Sequence, residues 1–176
     1  EGFVEVIRRN MALIRRRIKS PTLVFEMMVI GERSNTDICL CYLSDKASPK
    51  LLEDVKKRLK AVKLNTILES GYLQPFFEGS GGWFFSECGT CERPDSFAAK
   101  LYEGRIGILV DGTPFALTVP YLFIENFQTL DDYTQKPFYA LFIRIVRLAA
   151  YFITLFLPGA YVAIASYSPE LLPSSL

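Results

Sequence analysis

The chain contains no histidine. That absence removes a Ser-His-Asp triad, a Cys-His dyad and the HExxH zinc motif from its 176 residues. A surplus of either charge is missing too. Twenty Lys and Arg stand against 19 Asp and Glu, a formal net charge of +1. No basic field marks a nucleic-acid binder. The glycine-rich run Gly79-Ser80-Gly81-Gly82 lacks the Lys-Ser/Thr of a phosphate loop, which argues against nucleotide binding. The opening GFVEVIRRN carries charge where a secretory apolar core would stand, so no signal peptide is visible.

Cysteine is scarce: Cys39, Cys41, Cys88 and Cys91. Cys39 and Cys41 alternate, which puts both on one face of a strand. Cys88 and Cys91 have the spacing of a zinc knuckle or a redox CxxC. Four thiols together suggest a Cys₄ site, but C-x-C is a poor half-clamp for tetrahedral zinc and no βαβ unit flanks the CxxC. The plainer reading is two apolar strand cysteines and two loop thiols, with no metal and no cofactor. A membrane-tethered thiol redox or zinc protein using Cys88 and Cys91 stays open as an alternative.

What the sequence does have is a long apolar run. Leu148 to Pro169 carries no charged side chain over about 22 residues, enough for a helix to cross a hydrocarbon core of about 30 Å. Arg144 and Arg147 precede it, and Tyr151, Tyr161 and Tyr167 suit interfacial depths. The two arginines place the preceding part on the cytosolic side by the positive-inside rule. Pro158-Gly159 stands mid-run, either as a packed kink or as a hinge. Pro137 stiffens the joint in front of it. Starting at Glu1 and stopping at Leu176, the chain reads as a segment of a longer membrane protein.

Upstream, Phe3, Ile7, Met11, Ile14 and Ile18 recur on one helical face. The basic run Arg8, Arg9 and Arg15 to Arg17 reads as a solvated face or a contact with acidic lipid heads. Leu23–Ile30 and Ile38–Leu43 are strands of an antiparallel hairpin. Ser48 caps a helix with Pro49 at its first position, running to Val62. Ser70 caps a short helix. Trp83, Phe84 and Phe85 need a surface to bury against. Pro94 and Asp95 start a helix closed by Gly104. Ile106–Val110 and Phe115–Val119 form a second hairpin around Asp111-Gly112, and Pro120 starts a last helix. The expected fold is α/β (α+β): a mixed or antiparallel sheet with packed helices in helix-hairpin-helix order, then a transmembrane helix. Residues 1–137 form the α/β domain, and residues 138–176 the span with its following loop.

The candidate polar constellation is Glu92, Arg93, Pro94, Asp95, Glu103, Arg105, Asp111, Gly112 and Pro114. Its spacing forces no two carboxylates together. The structural reading is that Arg93 clamps a carboxylate or carbonyls, here expected elsewhere in the domain, and that Asp111-Gly112 is a turn. Pro137, Pro158 and Gly159 are the candidate hinges.

A dense, ordered set of motifs carries a resemblance. These are EGFVE at Glu1–Glu5, NMALIRRR at Asn10–Arg17, LESG at Leu68–Gly71 and TCERPD at Thr90–Asp95. EGR at Glu103–Arg105, VDGTPF at Val110–Phe115, Asp132-Tyr133 and PELLP at Pro169–Pro173 complete it. The chain resembles the A subunit of GerA-type spore germinant receptors over essentially its whole length. The resemblance implies a non-enzymatic, nutrient-sensing receptor subunit of the spore inner membrane, with its N-terminal domain in the cytosol. It implies an integral-membrane B subunit and a lipoprotein C subunit as partners, self-association of A subunits, a nutrient ligand and coupling to ion release. The segment is then the second half of the N-terminal domain plus the first span. Cys88 and Cys91 depart from the family pattern, which favours incidental thiols. A pure scaffold subunit is the remaining reading.

Overall fold

The computed structural model describes residues 2–78, 86–129, 132 and 135–167. The chain divides into two compact units, Glu1–Phe123 and Ile124–Leu176. The expectations for Gly79–Gly82 and for Trp83, Phe84 and Phe85 lie outside the described residues, as does the PELLP motif.

The first unit is a five-stranded antiparallel sheet with helices on both faces. Its elements are α1 (Ile7–Arg17), β1 (Leu23–Ile30), β2 (Thr36–Leu43), α2 (Pro49–Ala61) and a 3₁₀ turn (Ser70–Leu73). There follow α3 (Gln74–Phe77), β3 (Gly89–Cys91), α4 (Pro94–Tyr102), β4 (Ile106–Val110) and β5 (Ala116–Val119). The strand order is β1-β2-β4-β5-β3. Two hairpins, β1–β2 and β4–β5, join through antiparallel β2–β4 pairing, with Leu40 opposite Ile108 and Cys39 opposite Leu109. The continuous apolar run of β4 follows from this central place: all five of its residues are buried.

Alternation along the strands sends side chains into two cores. One lies under α2 and α3 and holds Ile38, Leu40, Val55, Leu59, Phe77, Ile106, Ile108 and Leu117. The other lies under α1 and α4 and holds Ile7, Ile14, Ile18, Cys39, Cys41, Phe97, Leu101 and Leu109. Burying each such large side chain stabilises by about 1.5–3 kcal/mol. Gly107 in β4 is forced by this packing. A Cβ there would stand 2.0 Å from the ring of Phe97.

Four local expectations need correction. Ser48 occupies the N-cap of α2, but its hydroxyl makes no capping bond, and Pro49 alone favours the helix start. Ser70 is the first residue of the 3₁₀ turn rather than its cap, and is itself buried. Pro120 does not start a helix; it follows β5, and a 3₁₀ turn begins at Phe123. Cys91 is not a loop thiol, because Gly89–Cys91 pairs with β5 as an edge strand.

The second unit contains the 3₁₀ residues up to Phe127, Asp132 and α5 (Pro137–Tyr167), a continuous helix of 31 residues. At about 1.5 Å per residue it exceeds the roughly 30 Å of a bilayer core. Residues Pro137–Ser166 are long and apolar enough to cross a membrane, and their large apolar side chains are mostly exposed.

Candidate functional site

Three polar clasps, rather than one cleft, hold the residues singled out above. The first opens α4. Arg93 stands at the N-cap in extended backbone and Pro94 occupies the first turn, where a missing N–H costs nothing. Arg93 Nε and Nη2 donate to Asp95 Oδ1 and Oδ2 at 3.1 and 2.7 Å, a two-pronged pair. Asp95 Oδ1 also accepts the Ser96 amide at 2.8 Å. The Arg93 fork, aided by that amide and opposed by partial burial, lowers the Asp95 carboxyl to about 2. Asp95 is only two residues from Arg93, so this pair closes within the turn itself. The Glu92 carbonyl accepts the Phe3 amide at 2.9 Å, tying the start of the chain to α4. Phe3 meets Phe97 edge to face. Pro94 is buried and, with Leu13, Arg16 and Arg17, lines an open groove of about 240 Å³.

The second clasp is the turn after β4. The N-cap position of α1 is Val6, which offers no side-chain cap. Asp111 supplies one from 104 residues away, with Oδ1 accepting the Ile7 amide at 3.0 Å. A carboxylate there satisfies an orphan N–H and faces the positive end of the helix dipole. The Gly112 amide donates to the Glu5 carbonyl at 2.9 Å. Gly112 has φ +82°, a conformation that favours glycine. Thr113 is buried and its hydroxyl donates to the Val110 carbonyl at 2.9 Å, while Pro114 is half-buried.

Asn10, the first residue of the NMALIRRR motif, completes this latch. It is buried, accepts the Val4 amide at 2.8 Å and donates to the Val4 carbonyl at 2.6 Å. In the helical pattern its signal is a polar residue close to the apolar face of α1.

The third clasp closes α4. Gly104 has φ +88°, and a Cβ there would meet the Lys46 carbonyl oxygen at 2.7 Å. Arg105, 14% exposed, pairs with Glu103 Oε2 at 3.0 Å and donates to the Pro120 carbonyl at 3.2 Å. Arg93 and Arg105 therefore sit at opposite ends of α4.

The sheet separates the cysteines. Cys88 belongs to the core under α2, whereas Cys39, Cys41 and Cys91 belong to the core under α1 and α4. Four thiols on two sides of a sheet do not converge on one ion. Among the described residues no group of three or more His, Cys, Asp or Glu is placed to hold a metal. Burial pushes the Cys88 thiol up to about 12 and raises Cys91 as well. Burial, reinforced by Cys39 at 3.9 Å, raises Cys41. A nucleophilic cysteine needs the opposite shift.

In the second unit, Asp132 is the polar centre. Its carboxylate accepts the Thr129 hydroxyl at 2.9 Å and the Thr129 amide at 3.2 Å. It also accepts Arg144 Nε at 3.3 Å and Arg147 Nη1 at 3.4 Å. Burial works to raise this carboxyl, but the Thr129 and arginine hydrogen bonds prevail and hold it well below the usual carboxylate range. Arg147 also donates to the Phe127 carbonyl, and the Phe127 ring packs edge-on against Tyr151.

Among the candidate hinges, Pro137 begins α5 and Pro158 lies inside it. The Thr154 hydroxyl donates to the Ala150 carbonyl at 2.8 Å, one turn before the proline. A Cβ on Gly159 would meet nothing within 4 Å.

Comparison with known proteins gives a consistent picture. The family model described as "Bacillus/Clostridium GerA spore germination protein" matches residues 1–176. Spore germination protein KA of Bacillus subtilis is 42% identical over 176 residues, covering 100% of this chain and 32% of the relative. The membrane protein YfkQ of the same organism is 40% identical, covering 100% and 34%. The chain thus spans about a third of the length of these relatives. A crystal structure of the N-terminal domain of the A subunit of the Bacillus megaterium spore germinant receptor GerK3 superposes with a TM-score of 0.57 at 44% identity. It covers 70% of this chain and 98% of that one.

Proposed function

Because this chain belongs to the GerA family of spore germination proteins, we propose that it is part of the A subunit of a nutrient germinant receptor. In this reading, residues 1–137 are the C-terminal part of a cytosolic N-terminal domain and residues 138–176 carry the first transmembrane helix. The subunit resides in the spore inner membrane with an integral-membrane B subunit, a lipoprotein C subunit and further A subunits. It couples nutrient sensing to ion release.

The observation that carries the reading is the sequence of two unlike units in one chain. A sheet domain packed on both faces, with a structural relative among receptor A-subunit N-terminal domains, runs on into a helix whose apolar side chains are exposed. A thiol enzyme is disfavoured by the sheet that parts Cys88 from Cys91 and by the raised thiols.

The three clasps of the first unit then have a mechanical role. Arg93–Asp95, Asp111–Ile7 and Arg105–Pro120 bind α1, α4 and the loop after β5 to the sheet, so the domain moves as a body. Pro137 begins α5 and stiffens the joint between domain and span, and Pro158-Gly159 supplies a place to bend within it. A ligand shifts such a device only by binding its two states unequally, at about 1.4 kcal/mol per tenfold change in population.

The test is a short Gly-Ser spacer between Thr134 and Lys136 in the full receptor, read as nutrient-triggered ion release from spores. A flexible insert absorbs domain movement. Loss of release with intact assembly is expected. Normal release at normal protein level contradicts the coupling and favours a scaffold.

A further inference from the structure

Two residues ahead of α5, Phe127 and Asp132, meet the helix in a definite order. Asp132 meets Arg144 and Arg147, and Phe127 meets Arg147 and Tyr151. Arg144, Arg147 and Tyr151 form one stripe of α5 at helical spacing of three and four residues. As the strap number falls from 132 to 127, the helix number rises from 144 to 151. The strap is therefore antiparallel to α5, and its upstream end is the end nearer the apolar run. Arg144 to Tyr151 is about 10 Å along the axis at the rise of an α-helix.

Arg144 and Arg147 precede a run that is free of charge from Leu148 onward. Tyr151 lies just inside that run. Phe127, buried, is thus held at the depth where arginine gives way to aromatic and aliphatic side chains, the depth of a lipid interface. Ile124 lies one 3₁₀ turn further upstream and is 50% exposed. The turn's one acidic side chain, Glu125, is half-buried and has a partner within the chain. Asp132 is already neutralised by guanidinium at the other end, and α5 exposes apolar Phe152 and Leu155.

We propose that the upstream turn of the strap, centred on Ile124, is seated in the lipid interface beside α5, so that the bilayer grips the chain at two places. The proposal rests on α5 spanning the membrane, and the occupant is lipid because Phe127 of the same turn packs on Tyr151, at the start of the run that lipid covers in that reading. Asp132, Arg144 and Arg147 set the depth at which it sits, acting as positioning residues.

The test uses the chain reconstituted in vesicles of phosphatidylcholine and phosphatidylglycerol. A single cysteine is introduced at Ile124, Ile153 or exposed Lys60 and labelled with an environment-sensitive fluorophore. Protein without the added cysteine gives the background, since the four native thiols are buried. Nitroxides placed shallow or deep on the lipid chains then act as quenchers. The expected result is a blue shift at Ile124→Cys with strong loss of signal from the shallow quencher. Ile153→Cys should lose most signal to the deep quencher, and Lys60→Cys should lose none.

Position 124 behaving like position 60, while position 153 is quenched, overturns the proposal and leaves the span intact. A blue shift at 124 without nitroxide quenching overturns it in favour of a protein contact. No quenching at 153 overturns the spanning reading and this proposal with it. Asp132→Asn should also weaken shallow quenching at 124; an unchanged profile overturns the depth-setting role of the clasp.

Discussion

In the first unit the large apolar side chains point inward, and in the second they point outward. Ile38, Leu40, Phe97 and Ile108 are 0% exposed, whereas Phe138, Ile153 and Phe156 are 84%, 58% and 63% exposed. Both units are rich in the same residue types, so composition alone does not separate them. The difference is where polar groups go. The first unit spends arginine and aspartate on sealing its edges: Asp111 on the open end of α1, Arg93 on Asp95, Arg105 on a carbonyl. The second ties Asp132 to Arg144 and Arg147 just ahead of the charge-free run of α5. Exposed apolar surface on that scale fits a medium with no water to avoid.

The comparison breaks most readily at the cores. Phe97→Ala should cost the first unit about 3–5 kcal/mol through lost burial and a cavity. Ile153→Ala should leave the denaturant midpoint of that unit unchanged when both are titrated in detergent. Equal losses would mean that α5 is an ordinary core helix.

Next in size is a charge on α5. Ile153→Lys should disfavour membrane insertion by about 3 kcal/mol at mid-span, read as a fall in the fraction that resists alkaline extraction of membranes. Full resistance would place this position away from lipid.

Asp111→Ala should then cost about 1–2 kcal/mol, the value of a helix cap. Asp111→Asn, which keeps an acceptor oxygen, should recover most of it. Hydrogen exchange at the Ile7 amide reads the loss locally, and unchanged protection in Asp111→Ala would deny the cap.

The smallest effect belongs to Asp95. Its carboxyl is lowered in the folded chain to about 2, so between that value and its unfolded value of about 3.9 the unfolded chain binds more protons. The contribution is complete above about pH 5 and lost as pH falls toward 2. Arg93 is 55% exposed, so solvent screening keeps the pair within about 0.3–1 kcal/mol. Asp95→Asn should flatten the acid limb of the stability curve by that amount, and an unaltered limb would discount the pair.

Local chemistry made much of this legible. The eight apolar residues of β1, Pro49 at the start of α2, Pro94 and Gly104 around α4, and Asp111-Gly112 between β4 and β5 each carry their own signal. β3 did not, because three residues containing a glycine show no alternation. Its strand character comes from pairing with β5. Asp111 read as a turn, since the amide it caps is 104 positions distant and no spacing rule reaches that far. The Arg93–Asp95 pair is a local contact two residues apart, whose geometry depends on how α4 begins. The apolar run was plain from the outset, but its early start at Pro137 and the knot at Asp132 depend on tertiary contacts.

The central claim is that α5 crosses a bilayer with the folded unit on the cytosolic side, and accessible-thiol mapping tests it most directly. Lys136→Cys and Glu170→Cys are expressed separately and exposed to a membrane-impermeant maleimide, before and after permeabilisation. The account predicts that position 170 labels in intact cells and position 136 only after permeabilisation. Labelling of position 136 in intact cells, or equal labelling of both, would contradict it.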